Sequence, residues 1–482
     1  MKNQKKSYVT YFVMLFALIL TTVSAAQAAQ FTVNVDTDQK DMNPGDGVCA
    51  AAYRTCTLRA AVEEANALPG NDYIKFSSSF QAPNPPRTIV LTLGQLEINE
   101  SVSILGTGSR QLAIDGNQKS RVLRLNNMAQ YVYIGGLTVQ NGYSYTPDIL
   151  TCAAGICNYS QNVTLAYMTV RNNVTAGDEP LYGEYAGGVS NNNKMYIIDS
   201  AVINNDGGYG GGIHNNGDLT IVNSTISGNT SQHSGGGIGH IGKTLKIAGS
   251  TITGNQSAKS GAGIFVGQIS TLEMINTIVA DNITRFDPDI SGTVTSLGSN
   301  LVKTRGASTG YVASDLPDGT DPLLGVLQNN GGHADTHELL AGSPAINAGN
   351  NCVTVAVGGC FDSQGYTTWD QRGVNFPRKV GSNVDIGAFE SASQDVPVVE
   401  IGGRVLKPNR QGLNKAVVTL TDEEGVTRSA ETDSQGHYSF ADVVTGKAYI
   451  VKVETRHYEY NSYELVFDEA RDDLDFAPLE KR

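Results

Sequence analysis

The chain has 482 residues, with 34 Lys and Arg against 47 Asp and Glu, a formal charge of −13. This acid excess, with no basic cluster to offset it, argues against nucleic acid and against anionic membrane as partners.

Residues 1–29 read as a cleaved export signal. Lys2, Lys5 and Lys6 form a basic start, Tyr11 to Leu20 is a short apolar run, and small residues follow up to Ala29. Its loss leaves 31 basic against 47 acidic residues, a charge of −16. No Cys lies in the cleavage region and no later stretch is long and apolar enough to span a bilayer. The expected location is therefore secreted or at the cell surface, with no transmembrane segment in the mature chain.

Residues 31–35 alternate as a short strand. Asp36 to Gly47 is rich in Asp and Gly and invites a calcium reading. It lacks the EF-hand register, because Pro44 and Gly45 interrupt it and no Glu stands twelfth after Asp41. A turn-rich loop is expected there. Thr57 is placed to cap a helix over 57–67, with Leu58, Ala61, Val62 and Ala65 on one face and Arg59, Glu63, Glu64 and Asn66 toward water. Such a helix would cover the open end of a strand stack.

Short strands separated by Gly and Asn corners follow, among them Tyr73–Phe76, Val102–Leu105, Val132–Ile134 and Leu137–Val139. From residue 154 a repeat is plain. Apolar residues at 156, 189, 213, 238 and 264 are each followed by a polar corner at Asn172, Asn205, Asn229, Asn255 and Asp281, after 16, 16, 16, 17 and 17 residues. This period is that of a solenoid of parallel strands. Asn suits a left-handed corner, and stacked Asn side chains can form a hydrogen-bonded ladder. Asn172, Asn205, Asn229 and Asn255 are the expected rungs.

The six cysteines fall into close pairs: Cys49 and Cys56, Cys152 and Cys157, Cys352 and Cys360. An exported chain favours three local disulfides over a metal site, since tight Cys-x-x-Cys spacing is absent.

The string Cys56-Thr-Leu-Arg-Ala-Ala-Val-Glu-Glu-Ala-Asn66 resembles the CSLREA motif of exported bacterial parallel β-helix proteins, with Thr57 and Ala60 departing from its Ser and Glu. Gln328–Gly332, Gly342–Ile346, Asp370-Gln-Arg-Gly373 and Asp385-Ile-Gly-Ala-Phe-Glu390 resemble the choice-of-anchor Q pattern that closes many such helices. The resemblance implies a right-handed parallel β-helix over 30–395, of pectin-lyase-like fold, and a bacterial source. It implies no catalytic residues. After 396 the pattern changes to alternating strands with turns, suited to a β-sandwich. Thr432-Asp-Ser-Gln-Gly-His-Tyr-Ser-Phe440 resembles the carboxypeptidase regulatory-like domain, which implies a transthyretin-like or Ig-like fold over about 399–467. Asp433 and His437 belong to its turn, and the acidic stretch 468–475 reads as a solvated end. The fold class is thus all-β: a capped solenoid and a C-terminal sandwich.

No constellation of residues spells out catalysis. Carried along the coil offsets, Asp199 meets Asn223 and Gly249, Asp206 meets Thr230 and Gln256, and Asp218 meets Lys194 and Thr244, so no acidic column forms. His214, His233 and His240 lie near one another, but His240 is one step out of register with His214. No metal or cofactor is assigned. The spacing from each corner to the next apolar string is 15 and 17 residues on two coils, then 8, 9 and 9. The two insertions carry Tyr143, Tyr145 and Asp148, then Asp178, Glu179, Tyr182, Glu184 and Tyr185. Tyr faces stack on sugars and carboxylates bond hydroxyls, so 142–153 and 173–186 are candidate binding loops; plain surface loops are the alternative. The expected function is a non-catalytic exported protein that binds glycan or a cell-surface partner, adhesin-like or an envelope component. A polysaccharide lyase or glycoside hydrolase is the second reading, and a purely structural surface protein the third.

Overall fold

In the computed structural model, residues 28–81, 86–145, 152–176, 186–363, 366–392, 398–423 and 425–479 are described. The chain divides into two compact units, Met1–Ala392 and Ser393–Arg482.

Among the described residues of the first unit, the strands form four parallel sheets. Each full coil visits them in one order. Sheet C (for example Ile156–Asn158) leads to sheet A (Asn162–Ala166), then sheet B (Thr169–Arg171), then sheet D (Val174–Ala176). Sheet A has ten strands, B nine, C eight and D five. The apolar residues of the repeat stack in register: Ile156, Val189, Ile213, Ile238 and Ile264 form one column of sheet C. They share a single continuous core with Val163 and Leu165 of sheet A and Val170 of sheet B. Residues of one type can stack this way because parallel in-register pairing places every side chain over its equivalent on the next coil.

Corner chemistry is divided between neighbouring residues. Asn141, Asn172, Asn204, Gly228, Gly254 and Asp281 take the left-handed conformation, at φ 53–66°. From Asn172 onward the next residue on each coil forms the ladder. Asn173 Nδ2 donates to Asn205 Oδ1 at 2.9 Å, Asn205 to Asn229 at 3.0 Å, Asn229 to Asn255 at 2.9 Å, and Asn255 to Asn282 at 2.9 Å. Asn172 is therefore not a rung. It is the exposed corner residue, and Asn173 beside it is the buried rung.

Helix α1 (Leu58–Ala67) packs its apolar face into the first coils, and Thr57 accepts from the Ala60 N–H at 3.0 Å. Its outer face is not solvated as the helical period alone predicts. Arg59 and Glu64 are buried. The loop 36–47 folds over them: Arg59 pairs with Asp38 at 2.7 Å, and Glu64 accepts the N–H groups of Gly45 and Gly47. The acidic loop is thus a cover for the helix, with its polar groups engaged by protein.

Residues 326–363 and 366–392 pack mainly against the outside of sheet B, with Val353 and Phe361 reaching Ala248 and Ile275 at the ends of sheet A strands. Asp335 pairs with Arg110 at 2.8 Å near the first coils. Gln371 accepts from Thr225 at 2.5 Å, and the Ala388 N–H donates to Thr251 Oγ1 at 3.0 Å near the last. The strap is clasped by buried charges. Arg372 pairs with Asp370 at 2.6 Å, Arg378 pairs with Glu390 at 3.0 Å, and the Glu390 N–H donates to Asp370 at 2.8 Å. The outward column of sheet B, Thr138, Thr169, Ala201, Thr225 and Thr251, is consequently buried.

The second unit is antiparallel. Val398–Arg404 pairs with His437–Val444, and a four-stranded sheet runs in the order Thr427–Glu431, Val417–Asp422, Ala448–Glu454, Tyr463–Val466. Val418, Leu420, Phe440, Val451 and Phe467 form its core. The acidic tail is not merely a solvated end. Leu474 and Phe476 are buried in that core, and the backbone of 471–476 pairs with Gly402, Arg404 and Leu406. Acidic side chains at the surrounding positions stay exposed, so charge alone hides the alternation.

Candidate ligand-binding face

Of the solenoid sheets, A presents its outer side to solvent. Sheet B lies under the strap, and on the middle coils of sheet C the outward residues Cys157, Ser190 and His214 are buried, while Glu97 at its first coil is exposed. On sheet A, Val132 and Ile134 point inward, so Tyr131 and Tyr133 point outward. Tyr131 is 61% exposed.

Strand register aligns the outward side chains into two columns. One reads Tyr73, Ser103, Tyr133, Thr164, Tyr196, Thr220. The other reads Tyr131, Asn162, Lys194, Asp218. Tyr therefore recurs on every second coil of the first column, a separation of about 10 Å from twice the strand spacing. Lys194 Nζ stands 5.3 Å from the Tyr196 ring centroid, and its pKa is raised by hydrogen bonding to the Tyr196 hydroxyl, so it remains an ammonium.

A second Asn ladder builds a groove at the junction of sheets C and A. Asn158 donates to Asn191 at 2.8 Å, Asn191 to Asn215 at 2.8 Å, and Asn215 meets His240 Nδ1 at 3.0 Å. Their carbonyl oxygens take the N–H groups of Ser160, Asn193 and Gly217, which turns each coil sharply. At Gly217 a Cβ would collide with the Asn193 carbonyl, so the coils stack closely only with Gly there. The groove that results has a volume of about 660 Å³ and is lined by Asn127, Asn162, Asn193, Lys194, Asp218 and Lys243 among others. A smaller hollow of about 150 Å³, between Ser103, Tyr131, Tyr133, Asn162 and Tyr196, adjoins it through Asn162. Together they form a strip of amides, two ammonium groups, one carboxylate and phenol rings.

At the junction of sheets A and B, Asp199 accepts from Asn223 at 2.5 Å. Burial pushes its pKa up to about 7, and the Tyr133 and Tyr167 hydroxyls beside it are also raised by burial. Its acidic neighbour is Asp370 of the strap, held by Arg372. That carboxylate comes from the strap, which the coil offsets do not reach. The histidines do not converge. His240 is a ladder member, also 3.1 Å from the Thr271 carbonyl; His214 is buried, with its pKa lowered to about 4; His233 stacks on Tyr209 at 4.7 Å. Among the described residues, no cluster of His, Cys, Asp or Glu has the makings of a metal site.

Of the loop residues, Tyr143 and Tyr145 lie on the first strand of sheet D, paired with Val174 and Ala176, and Tyr145 is exposed. Asp148, Asp178, Glu179, Tyr182, Glu184 and Tyr185 lie outside the described residues. The loops leave the coil between sheets D and C, whereas the groove lies between C and A. Sequence reasoning missed Tyr131, Tyr133, Tyr196, Asn162 and Lys194. The coil offsets used to test for acidic columns also align these residues.

Disulfides join Cys49 to Cys56 and Cys152 to Cys157, each at 2.03 Å, and Cys352 to Cys360. In the second unit, Asp433 accepts the N–H groups of Gln435 and His437, at 2.8 and 2.9 Å, which makes it a turn residue. Residues 400–477 match the carboxypeptidase regulatory-like domain family. The C-terminal sandwich is a carboxypeptidase regulatory-like domain. Its match runs to 477, through Leu474 and Phe476 of the core. No curated protein matches the chain. Among solved structures, the Bacillus anthracis TIE protein is similar at 18% identity over 17% of this chain and 17% of that chain, with a TM-score of 0.14. Beside the regulatory-like domain, the solenoid's role rests on its own geometry.

Proposed function

We propose that the protein is an exported, non-catalytic glycan-binding solenoid, and that its ligand lies along the outer face of sheet A and the adjoining Asn-rich groove. The observation that carries this reading is the open face itself. Sheet B and the middle coils of sheet C are covered, while sheet A turns Tyr73, Tyr133 and Tyr196 outward on alternate coils beside amides and ammonium groups. Phenol rings stack on pyranose faces, and amide, ammonium and carboxylate groups bond hydroxyls. The two-coil interval is close to a disaccharide repeat, which suits a polysaccharide laid along the solenoid axis. Export is supported by the character of residues 1–29 and by three disulfides. No helix among the described residues is long and apolar enough to cross a membrane.

The test is a polysaccharide panel with immobilised glycans, comparing wild type with Tyr133→Ala and Tyr196→Ala. At least one glycan is expected to bind wild type and to lose about tenfold or more in affinity with both variants. Equal binding of every glycan by all three proteins, or no binding to any glycan, contradicts the proposal.

Asp199 favours a second reading, a polysaccharide-cleaving enzyme. Its carboxyl, poised near neutrality beside Tyr133, has the proton affinity of a general base. It ranks second because glycosidic hydrolysis needs another carboxylate facing the bond, and Asp370 is buried and ion-paired. New reducing ends or unsaturated uronates in the same panel, absent from Asp199→Asn, would establish it.

A further inference from the structure

The C-terminal domain carries a groove of about 1600 Å³. It lies between the turn 406–411, the turn 455–459 and the segment 477–479. Its walls are held by hydrogen bonds. Tyr460 Oη donates to the Leu406 carbonyl at 2.8 Å, the Leu479 N–H donates to the Glu459 carbonyl at 2.8 Å, and Thr455 Oγ1 donates to the Tyr458 carbonyl at 2.9 Å.

Its charge is opposite to its surroundings. Between 398 and 479 there are fifteen acidic and nine basic residues. Three of the nine, Lys407, Arg410 and Arg456, line this one groove, against a single carboxylate among the described residues, Glu459. None of the three pairs with a carboxylate among the described residues. Other arginines of the domain are engaged internally: Arg404 with the Gln435 carbonyl, Arg428 with the Ala441 carbonyl, Arg471 with Asp473. Three like charges around one hollow repel one another, and an anionic guest relieves that repulsion. Leu406, Pro408 and Pro478 add apolar wall between the cations.

We infer that this groove binds an acidic polysaccharide through its carboxylates, at a site separate from the open face of sheet A and independent of the function proposed for it. Guanidinium and ammonium groups would take the carboxylates, and the apolar wall would take the ring faces. An acidic peptide suits the groove less. A bound strand needs a row of backbone donors, and the rim holds two prolines, which have none.

The test uses the full-length protein and polygalacturonate as probe, at low and at physiological salt, with polyglutamate as the peptide arm. Wild type is expected to bind polygalacturonate more weakly as salt rises. The double variant Arg410→Glu, Arg456→Glu is expected to lose about tenfold or more. Lys452→Glu, which reverses an exposed cation outside the groove, is expected to bind as wild type does. Tyr133→Ala and Tyr196→Ala are also expected to bind as wild type does, which separates this site from the solenoid face. Absence of binding, unchanged binding in the double variant, equal loss in Lys452→Glu, or equal affinity for polyglutamate overturns the inference.

Discussion

Asn172 and Asn173 are adjacent Asn residues with different work. Asn172 is exposed and left-handed at φ 55°, and Gly fits that conformation without strain. Asn172→Gly is expected to change stability by no more than about 0.5 kcal/mol. Asn229 sits inside the ladder. It donates to Asn255 and to the Val202 carbonyl, both at 2.9 Å, and accepts from the Asn205 backbone and side-chain amides, both at 3.0 Å. Asn229→Val removes all four and leaves buried partners unsatisfied, at a cost of about 3–5 kcal/mol. Thermal unfolding of the two variants checks the division: equal midpoints would contradict it. Asp199 gives a pH signature. Its folded pKa, about 7, lies above the ordinary 3.8, so the folded protein binds more protons than the unfolded chain between these values. Its contribution therefore becomes less favourable as pH rises through that window. Asp199→Asn, which keeps an acceptor for Asn223, is expected to gain about 1–2 kcal/mol at pH 8 and little at pH 4. Urea unfolding at both pH values measures it, and an equal change at both would contradict the assignment.

At the scale of elements, the strap decides which sheet remains open. Its clasp is a buried ion pair in which Arg378 also donates to the carbonyls of Asp385 and Gly387, at 3.0 and 2.8 Å. Arg378→Met leaves Glu390 buried without its cation, a loss of about 3–5 kcal/mol. Limited proteolysis is expected to cut this variant within 326–392 well before wild type; identical cleavage rates would contradict the clasp. The repeat made the sheets legible, because an in-register stack writes one apolar residue per coil into the sequence. The strap's path over sheet B was not legible, because it depends on contacts such as Thr225 with Gln371, which no local pattern encodes. For the same reason Arg59 and Glu64 read as solvated, since the loop covering them comes from another part of the chain. Tyr131, Asn162 and Lys194 share a column that the offsets could align. Their openness was not legible, because it follows from what covers the neighbouring sheets.

At the scale of the molecule, each unit has its own core: one continuous column through the coils, and a separate cluster around Phe440 and Phe476. Calorimetry is expected to resolve two transitions, with Phe440→Ala lowering the midpoint of one alone. The central claim is that recognition by the solenoid resides on sheet A and its groove. Hydrogen–deuterium exchange of the full chain, with and without each polysaccharide of the panel, tests it most directly. Slowed exchange is expected in 127–133, 161–164 and 192–196, with the sheet B strands unchanged. Protection confined to 142–153 and 173–186, or none on the solenoid with any polysaccharide, would contradict it.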